Sequence, residues 1–141
     1  MALIGGGGAG NVAGGANPSG TGSSLNYIGE HAYAHSAAFA ANTTPATVLN
    51  FDTGSSYIVG KFTLNATLQY SATDIGPTYM RISFNGEQVG NAAVSEPGAD
   101  SPSFAEQAML IPPYTSVTVE CWASADDAND LGNARFVGRV Y

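Results

Sequence analysis

Segment 57–70 alternates apolar and polar residues, and this alternation constrains the fold more than any other feature of the chain. One set of alternate positions is mostly apolar: Ile58, Phe62, Leu64, Ala66, Leu68 and Tyr70. The intervening set is polar: Lys61, Thr63, Asn65, Thr67 and Gln69. Because successive side chains of a β-strand point to opposite faces, a period of two predicts a strand with one buried face.

Seven further segments are rich in β-branched and aromatic residues and are separated by turn residues, so we predict eight strands in all. The seven segments span 31–39, 47–51, 79–84, 87–94, 104–111, 116–124 and 135–141. Asn85-Gly86 joins two of them and is the strongest short hairpin signal, because both turn positions need positive φ. No segment keeps a 3.6-residue apolar period, so little helix is expected. The pattern predicts an all-β antiparallel sandwich. We interpret it as an eight-stranded jelly roll, although other sandwich topologies fit the same pattern.

The apolar positions of these strands predict a core between two sheets. We expect it to contain Ile58, Phe62, Leu64, Leu68, Met80, Ile82 and Phe84. In 116–124, Cys121 alternates in phase with Val117 and Val119, so it is predicted to be a small buried hydrophobic residue. Trp122 falls on the opposite face, where it either forms a contact surface or is covered by the N-terminal segment or a loop.

Residues 1–24 differ in composition from the rest of the chain. They hold nine of the 18 glycines and no charged or aromatic residue, so they cannot bury a core. We therefore predict an extended glycine-rich arm, 1–24, followed by one sandwich domain, 25–141. Ordering glycine is entropically costly, so the arm is expected to become ordered only where neighbouring subunits enclose it. The residues predicted at an interface are Gly5, Gly6, Gly7, Gly8, Asn11 and Trp122.

The charge balance limits the classes of partner. Charged residues are 11% of the chain, and the net charge is −7 with only four basic residues. Nucleic acid and anionic membranes are therefore poor partners, since both are bound by clusters of Lys and Arg. The N-terminal sequence lacks the pattern of a signal peptide, and no apolar run reaches the length of a membrane span, so we expect synthesis in the cytoplasm. A surface poor in charge is easily desolvated, which favours burial among partners.

The sequence offers little support for an enzyme or a cofactor. His31 and His35 would lie about 13 Å apart on a strand, too far for one metal ion. Cys121 has no evident basic neighbour to lower its pKa, and no Gly-x-Ser-x-Gly motif occurs. The acidic segment 126–130 is interpreted as a solvated loop, with calcium binding as the alternative, because its spacing is not that of an EF-hand. We predict no catalytic residue, no resident metal and no cofactor.

Four groups of residues carry a resemblance to a known group of proteins. They are Leu25-Asn26-Tyr27-Ile28-Gly29-Glu30-His31-Ala32-Tyr33-Ala34; Phe51-Asp52-Thr53-Gly54 with Tyr57-Ile58-Val59; Ile111-Pro112-Pro113-Tyr114; and Gly138-Arg139-Val140-Tyr141. With the glycine-rich start and the length, they make the chain resemble short β-rich proteins encoded by marine phages and related viruses. The resemblance implies a virion-associated structural role as a minor capsid, decoration, cement or vertex protein. The expected partners are other virion proteins, with the chain forming a homo-oligomer or bound to a capsid. No functional residue is transferred.

A second class of function is a carbohydrate- or receptor-binding module of a phage fibre or tail. Aromatic rings can stack on sugar rings, and the chain has several candidates for this role. They are Tyr27, Tyr33, Tyr57, Tyr79, Tyr114 and Trp122.

Overall fold

The computed structural model describes residues 25–40, 42–68, 77–95, 103–124 and 130–141, without the side chains of Thr67, Leu68 and Asp130. The predicted arm with its five interface residues and the acidic segment up to Asn129 lie outside the described residues. The described ranges contain strands and no helix. In chain order the strands are β1 Asn26–Ile28, β2 His31–His35, β3 Phe39–Ala40, β4 Ala46–Asp52, β5 Ile58–Leu68, β6 Thr78–Phe84, β7 Glu87–Val94, β8 Ser103–Ile111, β9 Ser116–Ala123 and β10 Asp130–Val140.

The strands form two antiparallel sheets, which confirms the predicted all-β sandwich. The larger sheet has the order β1-β2-β10-β5-β8, with β3 also paired to β10, and the smaller sheet has the order β4-β9-β6-β7. Four of the pairings are nested: β2 with β10, β4 with β9, β5 with β8, and β6 with β7. The chain therefore passes repeatedly from one sheet to the other, and each sheet combines strands that are far apart in sequence.

The structure has ten described strands rather than the eight predicted, and the difference lies near the start of the domain. Segment 31–39, predicted as one strand, is split into β2 and β3, which both pair with β10. Ser36 interrupts it: its N–H donates to the carbonyl of Ala134 (2.8 Å), and its Oγ accepts from the N–H of Ala134 (2.8 Å). The serine hydroxyl thus replaces a main-chain carbonyl in the ladder. The short strand β1 was not predicted; it turns back onto β2 through Gly29, whose φ is +59°.

The core between the sheets centres on three phenylalanine rings. Phe51 of the smaller sheet lies 5.5 Å from Phe136 of the larger sheet, and Phe136 lies 4.6 Å from Phe62 (ring centroids). Such packing of aromatic rings adds to the free energy of burying their apolar area. Of the seven predicted core residues, five are fully buried: Ile58, Phe62, Leu64, Met80 and Ile82. Phe84 is only partly buried where it packs against this core, and the structure does not describe the side chain of Leu68.

Candidate interaction surface

The outer face of the larger sheet carries apolar side chains on four strands, as two cross-strand pairs offset by two residues. Tyr33 of β2 lies opposite Val137 of β10, and Val59 of β5 lies opposite Leu110 of β8. Val137 and Val59 are diagonal neighbours across the ladder that joins β10 to β5. Of these four residues, the three aliphatic ones are 43–55% exposed. We call Tyr33, Val137, Val59 and Leu110 the outer stripe.

The outer stripe occupies positions where a sandwich normally presents polar side chains to water. Along β5, β8 and β10 the inward positions are more buried and the outward positions more exposed, as the pleat of a strand requires. Contiguous exposed apolar area on a sheet face is a mark of an interaction surface, whereas isolated exposed apolar residues are ordinary. The continuity of the outer stripe across strands therefore identifies this face as the candidate site.

Three of the four basic residues of the chain lie on the same face, and two of them have acidic partners. Lys61 Nζ lies 3.3 Å from Glu106 Oε1, and Arg139 Nη2 lies 3.2 Å from Glu30 Oε1. Both ion pairs are well exposed, so each contributes little to stability. Arg135 is exposed and forms no ion pair with any residue that the structure describes.

The two histidines also lie on this face, on the strand that was predicted for them. His31 is paired with Arg139, and His35 with Arg135, across the ladder between β2 and β10. Tyr33 stands between them, and its ring meets that of His35 edge to face at 5.5 Å. Within the described ranges, no group of three or more His, Cys, Asp or Glu side chains is placed to hold a metal ion. The histidines are thus part of the border of the outer stripe.

Trp122 lies on the outer face of the smaller sheet, as the alternation of β9 predicted. It is paired with Tyr79 of β6, and the two rings stack at 5.3 Å with 28° between their planes. The Cζ of Arg81 lies 5.2 Å from the centre of the Trp122 ring, and Arg81 donates two hydrogen bonds to Glu120 Oε1 (2.9 and 2.6 Å). Among the described residues, Tyr79 and Arg81 pack against the Trp122 ring, and both belong to the neighbouring strand β6 of the same sheet. Its role at an interface stays a prediction.

The other candidate stacking residues are spread over different parts of the molecule. Tyr57 stacks on Tyr141 at 5.2 Å with 9° between the planes, and Tyr141 also lies under Arg139, with the guanidinium 5.6 Å from the ring centre. Tyr141 was not among the residues predicted to stack on sugars, because its contact with Tyr57 arises only from the pairing of β10 with β5. Tyr27 belongs to β1 and Tyr33 to the outer stripe. The six residues therefore do not form one surface.

Tyr114 is displayed at the end of the sandwich by a strained turn. Its φ of +53° is rare for a bulky residue, and the residue is 76% exposed. Hydrogen bonds between two loops hold the conformation: Tyr114 N–H donates to the carbonyl of Gly54, and Thr115 N–H donates to Thr53 Oγ1. The buried hydroxyl of Thr53 in turn donates to the carbonyl of Pro112. These hydrogen bonds join the two loops at this end of the sandwich.

Cys121 is buried in the core, as predicted for a small hydrophobic residue. Burial, and to a lesser degree the negative charge of Glu120, raises the pKa of its thiol to about 12. Since the thiolate is the nucleophilic form, very little of it exists at neutral pH. Cys121 therefore contributes packing rather than reactivity.

Comparisons with family models, with curated proteins and with solved structures give no match to this chain. In the parts of the chain that the structure describes, no helix is long and apolar enough to cross a membrane.

Proposed function

We propose that the protein is a structural component of a virion, of the minor capsid, decoration, cement or vertex type. It attaches to a larger particle through the outer face of the six-stranded sheet and through arm 1–24. The observation that carries the proposal is the outer stripe, in which the partly buried Tyr33 and the exposed Val137, Val59 and Leu110 form two offset cross-strand pairs on four strands, with Lys61 and Arg139 next to them. Protein–protein interfaces commonly have an apolar centre surrounded by a polar rim.

The strand pairing supports the interpretation of the fold as a jelly roll. Leaving aside β1 and β3, the remaining eight strands pair first with eighth, second with seventh, third with sixth and fourth with fifth. This is the pairing of one long hairpin rolled into two sheets. Jelly rolls occur in viral capsid proteins and also in lectins, so the fold is compatible with both classes of function that the sequence suggested.

The distribution of charge supports a position away from the packaged genome. Two of the three cations on the outer face are already paired with glutamates, and the fourth basic residue, Arg81, is paired with Glu120 on the other sheet. Binding of nucleic acid depends on several cations that are free to neutralise phosphates. A decoration or vertex position fits this acidic chain better than a lining of the genome.

Val59→Asp is expected to reduce incorporation into particles at least tenfold, because it places a charge in the apolar centre of the contact. Val89→Asp is the matched control: Val89 is also 43% exposed but lies on β7 of the smaller sheet. The measurement is the copy number of each variant per purified particle, by quantitative mass spectrometry, after circular dichroism has shown that both variants fold. Equal incorporation of the two variants would remove the outer stripe from the proposal.

Removal of the arm tests the second part of the proposal. A chain that begins at Ser23 keeps every described strand, so its β-sheet circular dichroism is expected to match that of the full chain. Its incorporation into particles is expected to fall, because the glycine-rich segment is the part suited to threading between subunits. Assembly of the shortened chain at full copy number would show that the arm is only a linker.

A carbohydrate- or receptor-binding module is the second candidate, and the stack of Tyr79 on Trp122 favours it. Thr47 and Asn91 lie in the adjacent cross-strand row with Glu120 and Arg81, which adds polar groups of the kind that bind sugar hydroxyls. However, Tyr79 and Arg81 already take up part of the Trp122 ring. Glycan-array binding that Trp122→Ala abolishes would favour this candidate, and uniformly negative arrays would count against it.

A further inference from the structure

We propose that one end of the sandwich is a binding site for uncharged carbohydrate, with Tyr114 as the ring on which a sugar stacks. Three connections between strands form the site: 53–57 joins β4 to β5, 85–86 joins β6 to β7, and 112–115 joins β8 to β9. We call these residues the loop end, and the structure describes all of them. The inference goes beyond the proposed attachment to a particle and does not depend on it.

Strand pairing places the three connections at the same end of the sandwich, and hydrogen bonds join them. Ser116, the first residue of β9, pairs with Asp52, the last residue of β4. The N–H of Asn85 donates to the carbonyl of Ser116 (2.8 Å), and the N–H of Ser116 donates to Asn85 Oδ1 (2.9 Å). The N–H of Thr53 donates to the carbonyl of Thr115 (2.9 Å). A site whose parts are already held in place loses less freedom when a ligand binds.

The backbone of Tyr114 departs from the preference of its residue type. Four described residues have positive φ: Gly29, Asn85, Gly86 and Tyr114. Glycine and asparagine adopt this conformation readily, whereas a bulky side chain adopts it with strain. Strained conformations of this kind cluster at ligand sites, where the side chain has a role that glycine cannot fill. Because Tyr114 is exposed, the strained turn presents a large aromatic residue to solvent.

The side chains of the loop end suit a sugar better than an anion or a protein. Apart from Tyr57 and Tyr114, the loop end consists of serine, threonine, asparagine, glycine and proline. It has no lysine, arginine or histidine to bind an anion, and no valine, leucine or isoleucine to fill the centre of a protein contact. A sugar offers an apolar ring face for stacking and hydroxyl groups for hydrogen bonds. Aromatic rings, hydroxyl groups and amides are their complements.

The two tyrosines of the loop end have different surroundings. Tyr57 stacks on Tyr141 at 5.2 Å, and the N–H of Tyr141 donates to the carbonyl of Tyr57 (3.0 Å), so one face of the Tyr57 ring is occupied. Among the described residues, Tyr114 belongs to none of the stacked or edge-to-face ring pairs. We therefore assign stacking on the sugar to Tyr114, and hydrogen bonding at the border of the site to Tyr57.

A printed array of neutral, sialylated and sulfated oligosaccharides, probed with the purified full-length chain, tests this inference. We expect neutral probes to bind and acidic probes to bind at least about tenfold more weakly, because the exposed carboxylates of Asp52 and Glu87 flank a site without cations. An array on which no neutral probe binds, or on which acidic probes bind best, would overturn the inference.

Tyr114→Gly is expected to weaken binding of the best neutral oligosaccharide about tenfold in isothermal titration calorimetry, because the stacking ring is lost. Tyr114→Phe keeps the ring and should stay within about threefold of wild type. Phe104→Ala is the matched control, since Phe104 is also an exposed aromatic residue but lies at the other end of β8. Equal weakening by Tyr114→Gly and Phe104→Ala, or loss of binding in Trp122→Ala but not in Tyr114→Gly, would contradict the assignment.

Stability and assembly distinguish this role from a structural one. Glycine relieves the strain at position 114, so the urea midpoint of Tyr114→Gly is expected to be no lower than that of wild type. Tyr114→Asn, a second residue that tolerates positive φ, should lose binding in the same way. Both variants are expected to enter particles at the copy number of wild type. If they enter as poorly as Val59→Asp and the array is negative, the loop end is a particle contact: this inference fails and the proposed function stands.

Discussion

Phe62→Ala is expected to lower the free energy of unfolding by about 3–5 kcal/mol, the usual cost of removing a fully buried ring. Phe62 has no exposed surface, and its ring lies 4.6 Å from that of Phe136 and 6.5 Å from that of Phe51. The contact with Phe51 joins the two sheets and the contact with Phe136 joins neighbouring strands of one sheet, so the surrounding strands have little freedom to close the cavity. Urea denaturation followed by circular dichroism gives the midpoint and slope from which the change is obtained.

Phe104→Ala is the matched control for this loss. Phe104 lies on β8 of the same sheet, but 65% of its side chain is exposed, so its removal should change the free energy of unfolding by no more than about 0.5 kcal/mol. If Phe62→Ala unfolds at the same urea concentration as the wild type, the inward register of β5 is wrong.

Gly60→Ala is expected to cost about 3 kcal/mol, at the upper end of the range for overpacking, because the new methyl group would meet backbone atoms that cannot move aside. A Cβ at Gly60 would lie 2.5 Å from the carbonyl oxygen of Val137, 2.6 Å from Cζ of Phe136 and 2.7 Å from Cα of Gly138. Gly60 and Gly138 are cross-strand partners. Together they leave the space that the Phe136 ring occupies. The measurement is again the denaturation midpoint.

Gly54→Ala separates this steric effect from the general effect of replacing glycine. A Cβ at Gly54 would meet nothing within 4 Å, and the residue is not in the left-handed region. Its replacement should leave stability unchanged or raise it by up to about 1 kcal/mol, because alanine restricts the unfolded chain. Equal losses at the two glycines would show that the close approach at Gly60 is not the cause.

The parts of the fold that depend on near neighbours in sequence could be predicted well. The prediction of a strand at 87–94 matches β7 at both ends, and the Asn85-Gly86 turn sets its start and its first pairs with β6, before the register shifts between Ile82 and Ser83. The inward positions of β5 and β9 follow from the two-residue period alone. The burial of Cys121 follows in the same way, since its phase with Val117 and Val119 decides which face it takes.

The breaks in the strands were less visible in the sequence. Ser36 splits the predicted first strand through hydrogen bonds with Ala134, a residue 98 positions away, and nothing local indicates that the serine hydroxyl will replace a ladder carbonyl. β1 has only three residues, too few for a period to be recognised. Such features depend on which strand becomes the neighbour.

The candidate site was decided by tertiary structure. Alternation places Val59 and Val137 outward, but it does not say that β5 and β10 will be adjacent in a register that makes them diagonal neighbours. The stacking of Tyr79 on Trp122 likewise exists only because β6 pairs with β9. Local sequence determined the strands and their inward faces, because backbone pleat and turn chemistry act over a few residues. Pairing between distant strands determined the outer stripe and its cations, because cross-strand contacts belong to the assembled sheet rather than to any one segment.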